Sequence, residues 1–520
     1  MTTDTDVLVV GAGPTGLTTA LEASAHGASV RIVDRRSQLF RPSRAMMLHA
    51  RALECLRPLG VTTELLDRAD TSPEVRLHLG VRAVQVRLGR VDLSDTAFPH
   101  LTLVRQADVE DVLCSALLAR GIRVEWGTEF VGPRAIGGGE GGVRAVLRSP
   151  GSRDTQHRSR FVVGCDGQTS TVRTLVGAAW RGAPYRVEAI LADIELGSAL
   201  EPGLLHVAVG PSGLTFLFAL GEGATWRMLA TRPARAAASG SFGQLGPSVP
   251  ADEVRLLLRG TGLAGTIERV SWSARVPLQH RVASVFRRGS LFLAGDAAHA
   301  HSPAGGQGMN NGILDAVNLG WKLGFAATGS PTPELLDSYE VERRRAAQEV
   351  LVLTHLIFFA EASPNPVARL GRGVLLPVVA PLLPLLMRQR LLTAAAVRLL
   401  AQPYVRYRHS PISRDALPRG GRRSRPGDRL PDQTVVVDGG TARLHQLTAS
   451  PGIHLLLGRD VPDDAADDTL PTGPMLHRHR LDDRPGTELV AVRPDGYIGF
   501  RCEAGDRHLL AEWLQRLGAL

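Results

Sequence analysis

The chain has 520 residues, 44% of them hydrophobic and 21% charged, which is typical of an ordinary globular protein with two or three domains. The net charge of +9 does not indicate nucleic-acid binding, because it comes from arginines spread through every segment and Lys322 is the only lysine. Three prolines interrupt the most apolar stretch, residues 374–387, so no run reaches the roughly 20 residues of a membrane span.

The cysteines and the start of the chain bear on the compartment. Four cysteines lie far apart without a C-x-x-C pair, which predicts free thiols in a reducing compartment and neither a disulfide frame nor a metal site: Cys55, Cys114, Cys165 and Cys502. Residues 1–10 lead from a polar start directly into a strand, so no signal peptide is expected. These features predict a cytoplasmic protein without a metal, membrane or nucleic-acid partner.

The first predicted elements form a dinucleotide fingerprint. A strand over residues 6–10 runs into the glycine-rich turn GAGPTG, which we call the first corner, and then into a helix and a second strand ending at Asp34. Gly11 makes the tight turn, Gly13 clears room for a pyrophosphate, and Gly16 lets helix and strand pack closely. Asp34 is placed to accept from an adenosine ribose 2′-hydroxyl. The pattern predicts FAD or NAD rather than NADP.

The next segment leads to a second corner. One or two of the arginines between residues 35 and 51 are expected to pair with the pyrophosphate. A strand end at Gln106 precedes an amphipathic helix with Asp108 in its first turn. Further on, a strand over 161–163 enters the second corner, residues 164–173. There Asp166 has two open interpretations, a ligand-binding carboxylate or a turn residue that caps the following helix.

Residues 181–284 show a different pattern. Short alternating apolar runs separated by glycine or proline turns predict an antiparallel sheet. This sheet is inserted between the second corner and Asp296, which makes the dinucleotide domain discontinuous. We expect the sheet to cover the bound ligand.

A third corner, residues 295–310, is the feature around which the chain is organised. A short apolar strand ends at Asp296, a loop rich in glycine follows Pro303, and a helix begins near Met309. The carboxylate can accept from sugar-alcohol hydroxyls, the glycines let backbone N–H groups approach a flat ring, and the helix start favours an anion. The alternative is a corner that needs glycine for geometry alone.

The remaining elements belong to the C-terminal third. Residues 334–402 are predicted as helices broken by prolines, and residues 419–431 as a polar linker. Strands are predicted at 434–437, 454–458 and 488–501, the last folded into a hairpin at 493–496, before a final amphipathic helix. For this small α/β domain we expect a structural role or a role in forming a homodimer.

Together these motifs resemble those of the class A flavoprotein aromatic hydroxylases, the family of para-hydroxybenzoate hydroxylase and phenol hydroxylase, over nearly the whole chain. The first corner with Asp34 is similar to the family's AMP-binding motif. The second corner, with Cys165-Asp166-Gly167, and the third, with Gly295-Asp296, resemble its second and third motifs. The tail resembles the thioredoxin-like domain of the polyketide-hydroxylase branch, but without C-x-x-C no disulfide chemistry carries over.

The resemblance implies an α/β fold with four parts. These are a discontinuous Rossmann-like FAD-binding domain (1–180 and 277–345), an inserted antiparallel β-sheet substrate domain (181–276), a helical segment (346–418) and a thioredoxin-like α/β domain (426–520). It also implies that FAD is held by residues from all three corners and the segments near them: Gly11, Gly13, Pro14, Thr15, Gly16, Asp34, Arg35, Arg44, Gln106, Asp166, Asp296, Pro303, Gly306, Gly308, Met309 and Asn310. Asp296 would hold the ribityl chain, and the loop after Pro303 would face the pyrimidine edge of the isoalloxazine.

The activity implied by the resemblance is aromatic monooxygenation. FAD, bound tightly but not covalently, would be reduced by NADPH or NADH, a transient co-substrate for which no second GxGxxG between a strand and a helix is present; the glycine-rich stretch 137–142 is predicted as a turn between strands. O2 would then form a C4a-hydroperoxide that attacks an aromatic carbon of a polycyclic polyketide or phenolic substrate. Baeyer–Villiger insertion, epoxidation, a flavin oxidase or dehydrogenase without oxygen transfer, and a non-enzymatic flavin-binding protein stay open. Halogenation is not expected, because no W-x-W-x-I-P segment is present.

No residue identifies itself in the sequence as the base that would deprotonate a phenol. Four histidines are candidates by residue type, although each is expected to be packed or hydrogen-bonded: His49, His280, His299 and His301. The catalytic residues therefore stay unknown from the sequence.

Overall fold

The computed structural model describes most of the chain. The residues outside the description are 1–4, 40–45, 80–81, 88–92, 137–141, 198–199, 202, 211–212, 223, 235–246, 264, 364, 383–404, 418–423 and 463–471. The prediction for Arg44 and residues 364, 383–404 and 418 of the predicted helical segment therefore lie outside the described residues.

The secondary structure is mixed. The strands in chain order are β1 (Thr5–Val10), β2 (Val30–Asp34), β3 (Met47–Leu48), β4 (Glu74–Leu79), β5 (Arg82–Arg87), β6 (Thr102–Leu103), β7 (Val124–Trp126), β8 (Glu129–Ile136), β9 (Val143–Arg148), β10 (Thr155–Gly164), β11 (Trp180–Gly197), β12 (Leu204–Gly210), β13 (Gly213–Glu222), β14 (Ala224–Pro233), β15 (Thr266–Ala283), β16 (Arg287–Arg288), β17 (Leu291–Leu293), β18 (His299–Ala300), β19 (Arg414–Asp415), β20 (Thr434–Val437), β21 (Gly440–Arg443), β22 (Ile453–Gly458), β23 (Leu476–Leu481), β24 (Glu488–Val492) and β25 (Ile498–Glu503). The α-helices are α1 (Pro14–Ala25), α2 (Ala50–Leu56), α3 (Thr62–Asp67), α4 (Gln106–Ala119), α5 (Thr171–Val176), α6 (Ala251–Arg259), α7 (Gln307–Thr328), α8 (Pro333–Ala362), α9 (Pro366–Leu370), α10 (Leu376–Val379), α11 (Leu444–Leu447) and α12 (Arg507–Leu517).

The first sheet has a parallel core in the order β17-β10-β1-β2-β7. Residues 7–10 at the end of β1 and residues 161–164 at the end of β10 are all buried, and most of them are valine. This is expected for parallel strands covered on both faces. Helices α1 and α7 pack against each other very closely, because a Cβ on the facing glycines of α7 would overlap α1 or the residue after it: Gly312, Gly320 and Gly324. The predicted strand–helix–strand start of the chain is observed here.

The second sheet is mostly antiparallel, in the order β18-β15-β11-β14-β13-β12-β4-β5. The predicted strands between residues 181 and 284 are all present in it. Strands β4 and β5, from residues 74–87, also belong to this sheet, because β4 pairs with β12 in parallel register. The sequence had placed those residues in the FAD-binding domain. Local alternation predicts a strand but does not reveal which distant strand it joins.

The two faces of the second sheet have different neighbours. One face packs on α6 through an apolar cluster that includes Val254 and Leu258. The other face packs on α8 and on the third corner, through a cluster that includes Phe358 and Ala304. The second sheet therefore meets the third corner on the side expected for a cover over a ligand bound there.

The C-terminal domain contains a sheet in the order β19-β25-β24-β22-β23 with α12 packed on it. The hairpin between β24 and β25 was predicted; strand β23, with the sequence LHRHRL, was not, because it lacks apolar alternation. Trp321 and Phe325 of α7 share one buried cluster with Leu455 and Trp513 of this domain. The tail is therefore packed onto the rest of the chain through a common core.

Helix α8 and the short helices after it carry much exposed apolar surface. Among the described residues, no single helix has the length and apolar character needed to cross a bilayer, and one bent pair, Pro333–Glu361 with Pro366–Leu375, meets the length and composition test.

Candidate functional site

The three corners lie side by side at one edge of the first sheet. Strands β17, β10 and β1 are adjacent and parallel, so their carboxyl ends meet at that edge. Backbone hydrogen bonds tie the corners together: the Cys165 N–H donates to the Val10 carbonyl at 2.8 Å and the Ala294 N–H to the Gly164 carbonyl at 3.0 Å. In open α/β sheets this edge is where ligands bind.

The glycines of the first corner have the surroundings that the fingerprint predicts. Gly11 has a φ of +103°, and a Cβ there would overlap the Cys165 carbonyl. A Cβ on Gly16 would overlap the Gly11 carbonyl, whereas an added Cβ on Gly13 would have nothing within 4 Å. Pro14 begins α1, and no side chain caps the N-terminus of this helix. An open glycine beside free helix N–H groups fits a pyrophosphate.

Thr15 connects the first corner to the third. Its side chain packs so closely against Gly295 and Gly312 that a Cβ at either glycine would overlap the Thr15 hydroxyl. Gly295 has a φ of +59°, which also favours glycine at this position. The start of α1 and the turn that holds Asp296 are therefore fixed relative to each other by direct packing.

Asp34 ends β2 and is 7% exposed. Its carboxylate accepts from the Ala12 N–H at 2.7 Å and the Arg36 N–H at 2.8 Å. The Arg36 guanidinium also donates to both carboxylate oxygens, at 3.2 and 3.1 Å, and to the Ala12 carbonyl at 2.9 Å. These four donors already occupy the roughly four acceptor positions of a carboxylate, so a ribose hydroxyl would replace one of the Arg36 contacts with Asp34. Sequence reasoning missed Arg36, whose only signal was its position two residues after the acid.

The other predicted residues near this end are placed around Asp34. Gln106 begins α4 and donates to Glu110 at 2.8 Å, while Glu110 lies 3.5 Å from the Arg36 guanidinium. Arg35 is exposed and donates to the Thr169 hydroxyl at 3.3 Å. Arg51, which was a candidate for the pyrophosphate, is instead buried and paired with Glu54 at 3.0 Å.

Asp166 in the second corner caps a helix. Its carboxylate accepts from the N–H groups of Thr171 at 2.7 Å and Val172 at 3.2 Å, in the first turn of α5. Burial raises the pKa of Asp166, although these hydrogen bonds act in the opposite direction. Of the two open interpretations, the structure shows the capping contact. Arg173 ties this corner to the third by donating to the Ala297 carbonyl at 2.9 Å.

Asp296 is exposed, although the residues on both sides of it, Gly295 and Ala297, are buried. In the described part of the chain its carboxylate has one contact, with the Gln168 side-chain amide at 3.4 Å. The carboxylate therefore keeps its acceptor positions available at the ligand-binding edge. This arrangement fits the role of binding the hydroxyls of a sugar alcohol.

The turn that carries Asp296 is held from behind by buried charges. Asp315 of α7 accepts from the Gly295 N–H at 2.9 Å, from His299 at 2.6 Å and from Arg343 at 2.6 Å. Burial alone would raise the pKa of Asp315, but His299 and Arg343 lower it overall. Sequence reasoning missed Asp315 and Arg343; the signal was a run of polar residues in a helix otherwise predicted to be apolar.

The glycine loop of the third corner continues from Pro303 into α7. Gly305 and Gly306 have φ values of +68° and +63°, two consecutive left-handed residues that favour glycine. No side chain caps the N-terminus of α7, and the nearest atom to an added Cβ on Gly308 lies 3.9 Å away, in His301. Free N–H groups at an uncrowded helix start fit the electronegative edge of a flat ring.

Met309 and Asn310 face the protein interior. Both are buried, and Asn310 accepts from the His49 N–H at 2.8 Å while donating to the carbonyls of Met47 at 2.9 Å and Gly306 at 2.8 Å. The Asn310 side chain thus joins strand β3 to the glycine loop. The side-chain amide of Asn310, which was predicted as a cofactor-binding residue, is therefore engaged in structural contacts.

Three of the four candidate histidines have structural partners. His49 donates to the Gly305 carbonyl at 2.9 Å, and burial lowers its pKa to about 4. His299 donates to Asp315, and His301 donates to the Ser302 carbonyl at 3.0 Å. His280 differs, because its Nδ1 is buried and has no hydrogen-bond partner in the described residues.

One cavity of the structure lies apart from this edge. A cavity of about 440 Å³ in the C-terminal domain, lined by residues such as Leu430, Val435 and Arg501, contains none of the predicted cofactor residues. No group of His, Cys, Asp and Glu among the residues that the structure describes could hold a metal ion.

Comparisons with known proteins agree with the geometry. The FAD binding domain family matches residues 4–354. Pentachlorophenol 4-monooxygenase from Sphingobium chlorophenolicum is 32% identical over 68% of this chain and 64% of its own length. The 6-methylpretetramide 4-monooxygenase from Streptomyces rimosus is 30% identical over 99% of this chain and 94% of its own length. The structure of the OxyS anhydrotetracycline hydroxylase from Streptomyces rimosus superposes with a TM-score of 0.76, at 28% identity and full coverage of both chains.

Proposed function

This chain belongs to the FAD binding domain family and is an FAD-dependent aromatic monooxygenase, and from that premise we propose that it hydroxylates a flat, polycyclic phenol. FAD, when bound, supplies the redox chemistry by accepting electrons from NADPH or NADH and activating O2. The protein's own residues supply binding, orientation and the exclusion of water.

The three corners divide the binding of FAD between them. Gly13 and the start of α1 would receive the pyrophosphate, and Asp34 with Arg36 would bind the adenosine end. Asp296 would accept from the ribityl hydroxyls. The loop after Pro303 would direct backbone N–H groups at the pyrimidine edge of the ring, where negative charge develops during reduction. The open glycine and the exposed carboxylate support this assignment.

The observation that carries the substrate proposal is the contact between the second sheet and the third corner. Alternate residues of β11 and β15 form an apolar face that includes Leu191, Val276 and Leu278, and this face packs in the same cluster as Ala304 of the glycine loop. A flat apolar substrate bound against the partly buried residues at the margin of this cluster, Tyr185, Leu229 and Trp272, would lie beside the glycine loop and reach the edge of the flavin ring. An apolar wall also excludes water from the reacting atoms.

The names of the relatives support a polycyclic phenol as the substrate class. The 6-methylpretetramide 4-monooxygenase aligns with nearly the whole of this chain, and the structural relative is an anhydrotetracycline hydroxylase. Both names describe fused-ring polyketides. A single-ring phenol is the second choice, supported by pentachlorophenol 4-monooxygenase. A cytoplasmic location and a homodimer are further proposals from the sequence.

The test is oxygen incorporation by the FAD-loaded protein. NADPH and NADH oxidation would be measured with a panel of polycyclic phenols, and the product of each stimulating phenol would be weighed after reaction under 18O2. The proposal predicts a product with one labelled hydroxyl and an intact ring skeleton. A labelled ring-expanded product or epoxide would favour the other oxygenations, and stoichiometric peroxide without label in the product would show an oxidase.

A further inference from the structure

A cluster of aromatic and imidazole rings lies where three elements meet. Tyr185 from β11, His280 from β15 and His355 from α8 face one another, with ring centroids 4.8 Å apart for Tyr185 and His280 and 5.1 Å for the two histidines. The Tyr185 hydroxyl lies 3.2 Å from Nδ1 of His355. Phe358 closes one side, with its ring 4.7 Å from that of Tyr185. We call Tyr185, His280 and His355 the phenol cluster.

The phenol cluster adjoins the third corner. Tyr185 packs with Phe358 in an apolar cluster that contains residues of the second sheet and Ala304 of the glycine loop. The phenol cluster is thus the polar part of the same wall that we propose for the substrate.

His280 has unused hydrogen-bonding capacity. Its Nδ1 is buried and finds no partner among the residues that the structure describes, and a buried polar atom without a partner costs roughly 1–3 kcal/mol. The other three candidate histidines are each bonded to a backbone carbonyl or to a carboxylate. Such an orphaned acceptor beside a predicted substrate wall indicates a ligand that supplies the missing donor.

We propose that the phenol cluster recognises the hydroxyl group of the substrate and that Nδ1 of His280 accepts its proton. The inference rests on the proposed function and deepens it. In this step the substrate O–H bond breaks, an N–H bond forms at Nδ1, and the electron pair stays on the oxygen. The products are a phenolate and an imidazolium, and no oxidant or reductant takes part. Ionisation makes the ring more electron-rich and therefore a better target for hydroxylation.

The surroundings of His280 favour its neutral, proton-accepting form. Burial lowers its pKa, and His355 from α8 and Arg281 from its own strand lower it further. Tyr185 faces it from β11, and burial raises the pKa of that phenol to about 12, so Tyr185 stays protonated and can donate. Turnover should therefore fall only on acidification below the ordinary histidine range, when His280 becomes protonated before substrate binds.

The test uses the bound phenol as its own reporter. The probe is 1,8-dihydroxyanthraquinone, whose phenolate absorbs at longer wavelength than the phenol, titrated on the FAD-loaded enzyme across a pH series. With the wild type, the apparent pKa of the bound probe should be lowered by about one unit or more, which is a tenfold shift toward phenolate. His280→Asn keeps a hydrogen-bonding group near Nδ1 but cannot take the proton, so this shift should disappear. Tyr185→Phe should weaken probe binding roughly threefold to tenfold.

The exposed His508 provides a matched control. His508→Asn should leave the probe titration unchanged. For every variant, folding is checked by measuring the FAD content and the rate of NADPH oxidation without the probe. If His280→Asn does not fold, His280→Gln serves as the second variant and should likewise abolish the shift. If the probe binds but the titrations of the wild type and of the His280 variant coincide, the inference is overturned while the proposed function stands. A wild type that binds no phenol of the panel would overturn the proposed function and the inference with it.

Discussion

At the ligand-binding edge, ligand binding and folding are the roles of different single residues. Asp296 is exposed and has one long contact in the described structure, whereas Asp315 behind it is buried and makes three hydrogen bonds. Two carboxylates 19 residues apart in sequence therefore have opposite roles. The first is available to a ligand, and the second holds the turn that presents the first.

The variant Asp296→Asn is expected to lose FAD affinity without losing stability. Hydrogen bonds to a charged group contribute about 1.5–3 kcal/mol, so the FAD dissociation constant should rise about tenfold to a hundredfold. FAD fluorescence titration measures this, with thermal unfolding of the apoprotein recorded alongside. Asp252→Asn, at a carboxylate whose side chain is 95% exposed on α6, is the control and should leave both values unchanged. Equal FAD affinity in Asp296→Asn and wild type would contradict the role of Asp296.

Two glycines of the first corner provide a second contrast. In Gly13→Ala the added methyl group meets no protein atom within 4 Å, so the chain should fold but bind FAD weakly. In Gly16→Ala the methyl group overlaps the Gly11 carbonyl, so α1 cannot pack and soluble protein should be lost. Yield, circular dichroism and FAD content distinguish the two. A Gly13→Ala protein with normal FAD affinity would show that the pyrophosphate lies elsewhere.

The elements of the fold were predictable where their signal is local. The first corner, its helix, the antiparallel strands and α7 all follow from periodicity and glycine spacing within short windows. The pairing of β4 with β12 was not predictable, because it joins residues about 130 positions apart through backbone hydrogen bonds that carry no local signature. Asp315 and Arg343 were missed for a related reason: their partners come from other elements.

At the scale of elements, α7 and α8 are joined by charges that are buried together. Arg343 of α8 donates to Asp315 and to the Asn311 side chain, at 2.6 Å each, and to the Tyr407 hydroxyl at 2.8 Å. Arg343→Met should destabilise the chain by about 3–5 kcal/mol, because it leaves the Asp315 carboxylate buried with one partner fewer. Urea unfolding measures this. Arg345→Met, at an exposed position two residues on, should change stability by less than about 1 kcal/mol.

Two buried carboxylates predict how stability depends on pH: Asp315 of α7, and Glu342 of α8, which accepts from Lys322 and Arg493. The folded pKa values of Asp315 and Glu342 are below their ordinary values, so both carboxylates bind protons less readily in the folded than in the unfolded chain. Their contribution is fully present above the unfolded pKa of about 4 and is lost as pH falls below it. Buried histidines add an earlier decline, because burial lowers the folded pKa of His49 to about 4 while the unfolded chain binds that proton from about pH 6.5 downward. Unfolding free energies measured between pH 7 and pH 3 should therefore begin to decline near pH 6.5 and should continue to decline below about pH 4.5, where the two carboxylates contribute. A curve that is flat below about pH 4.5 would contradict the contribution of the two carboxylates.

At the scale of the whole molecule, the C-terminal domain contributes buried residues to the interior that it shares with α7 and α8. The hairpin turn between β24 and β25 was predicted as an ordinary turn, yet Arg493 and Asp495 within it are 1% and 3% exposed. Arg493 donates to both oxygens of Glu342 of α8, at 2.7 and 2.8 Å, and Lys322 of α7 donates to the same carboxylate. Sequence analysis recognised the turn chemistry but could not foresee that another domain covers it.

This packing predicts that the C-terminal domain and the FAD-binding domain unfold together. Arg493→Met should lower the unfolding free energy of the full chain by about 3–5 kcal/mol, because Glu342 would keep Lys322 as its only cation. Calorimetry should still show a single transition, shifted to lower temperature, with FAD released in the same step. Two separate transitions, with FAD retained through the first, would show that the tail is an independent module.

The most direct test of the central claim, that three corners of one chain hold a single FAD, is a crystal structure of the FAD-loaded protein. The account predicts the pyrophosphate within about 3.2 Å of backbone N–H groups at Gly13 and the start of α1, the ribityl hydroxyls on Asp296, and the pyrimidine edge at the N–H groups after Pro303. FAD bound elsewhere on the folded chain, or with Asp296 unengaged, would contradict it.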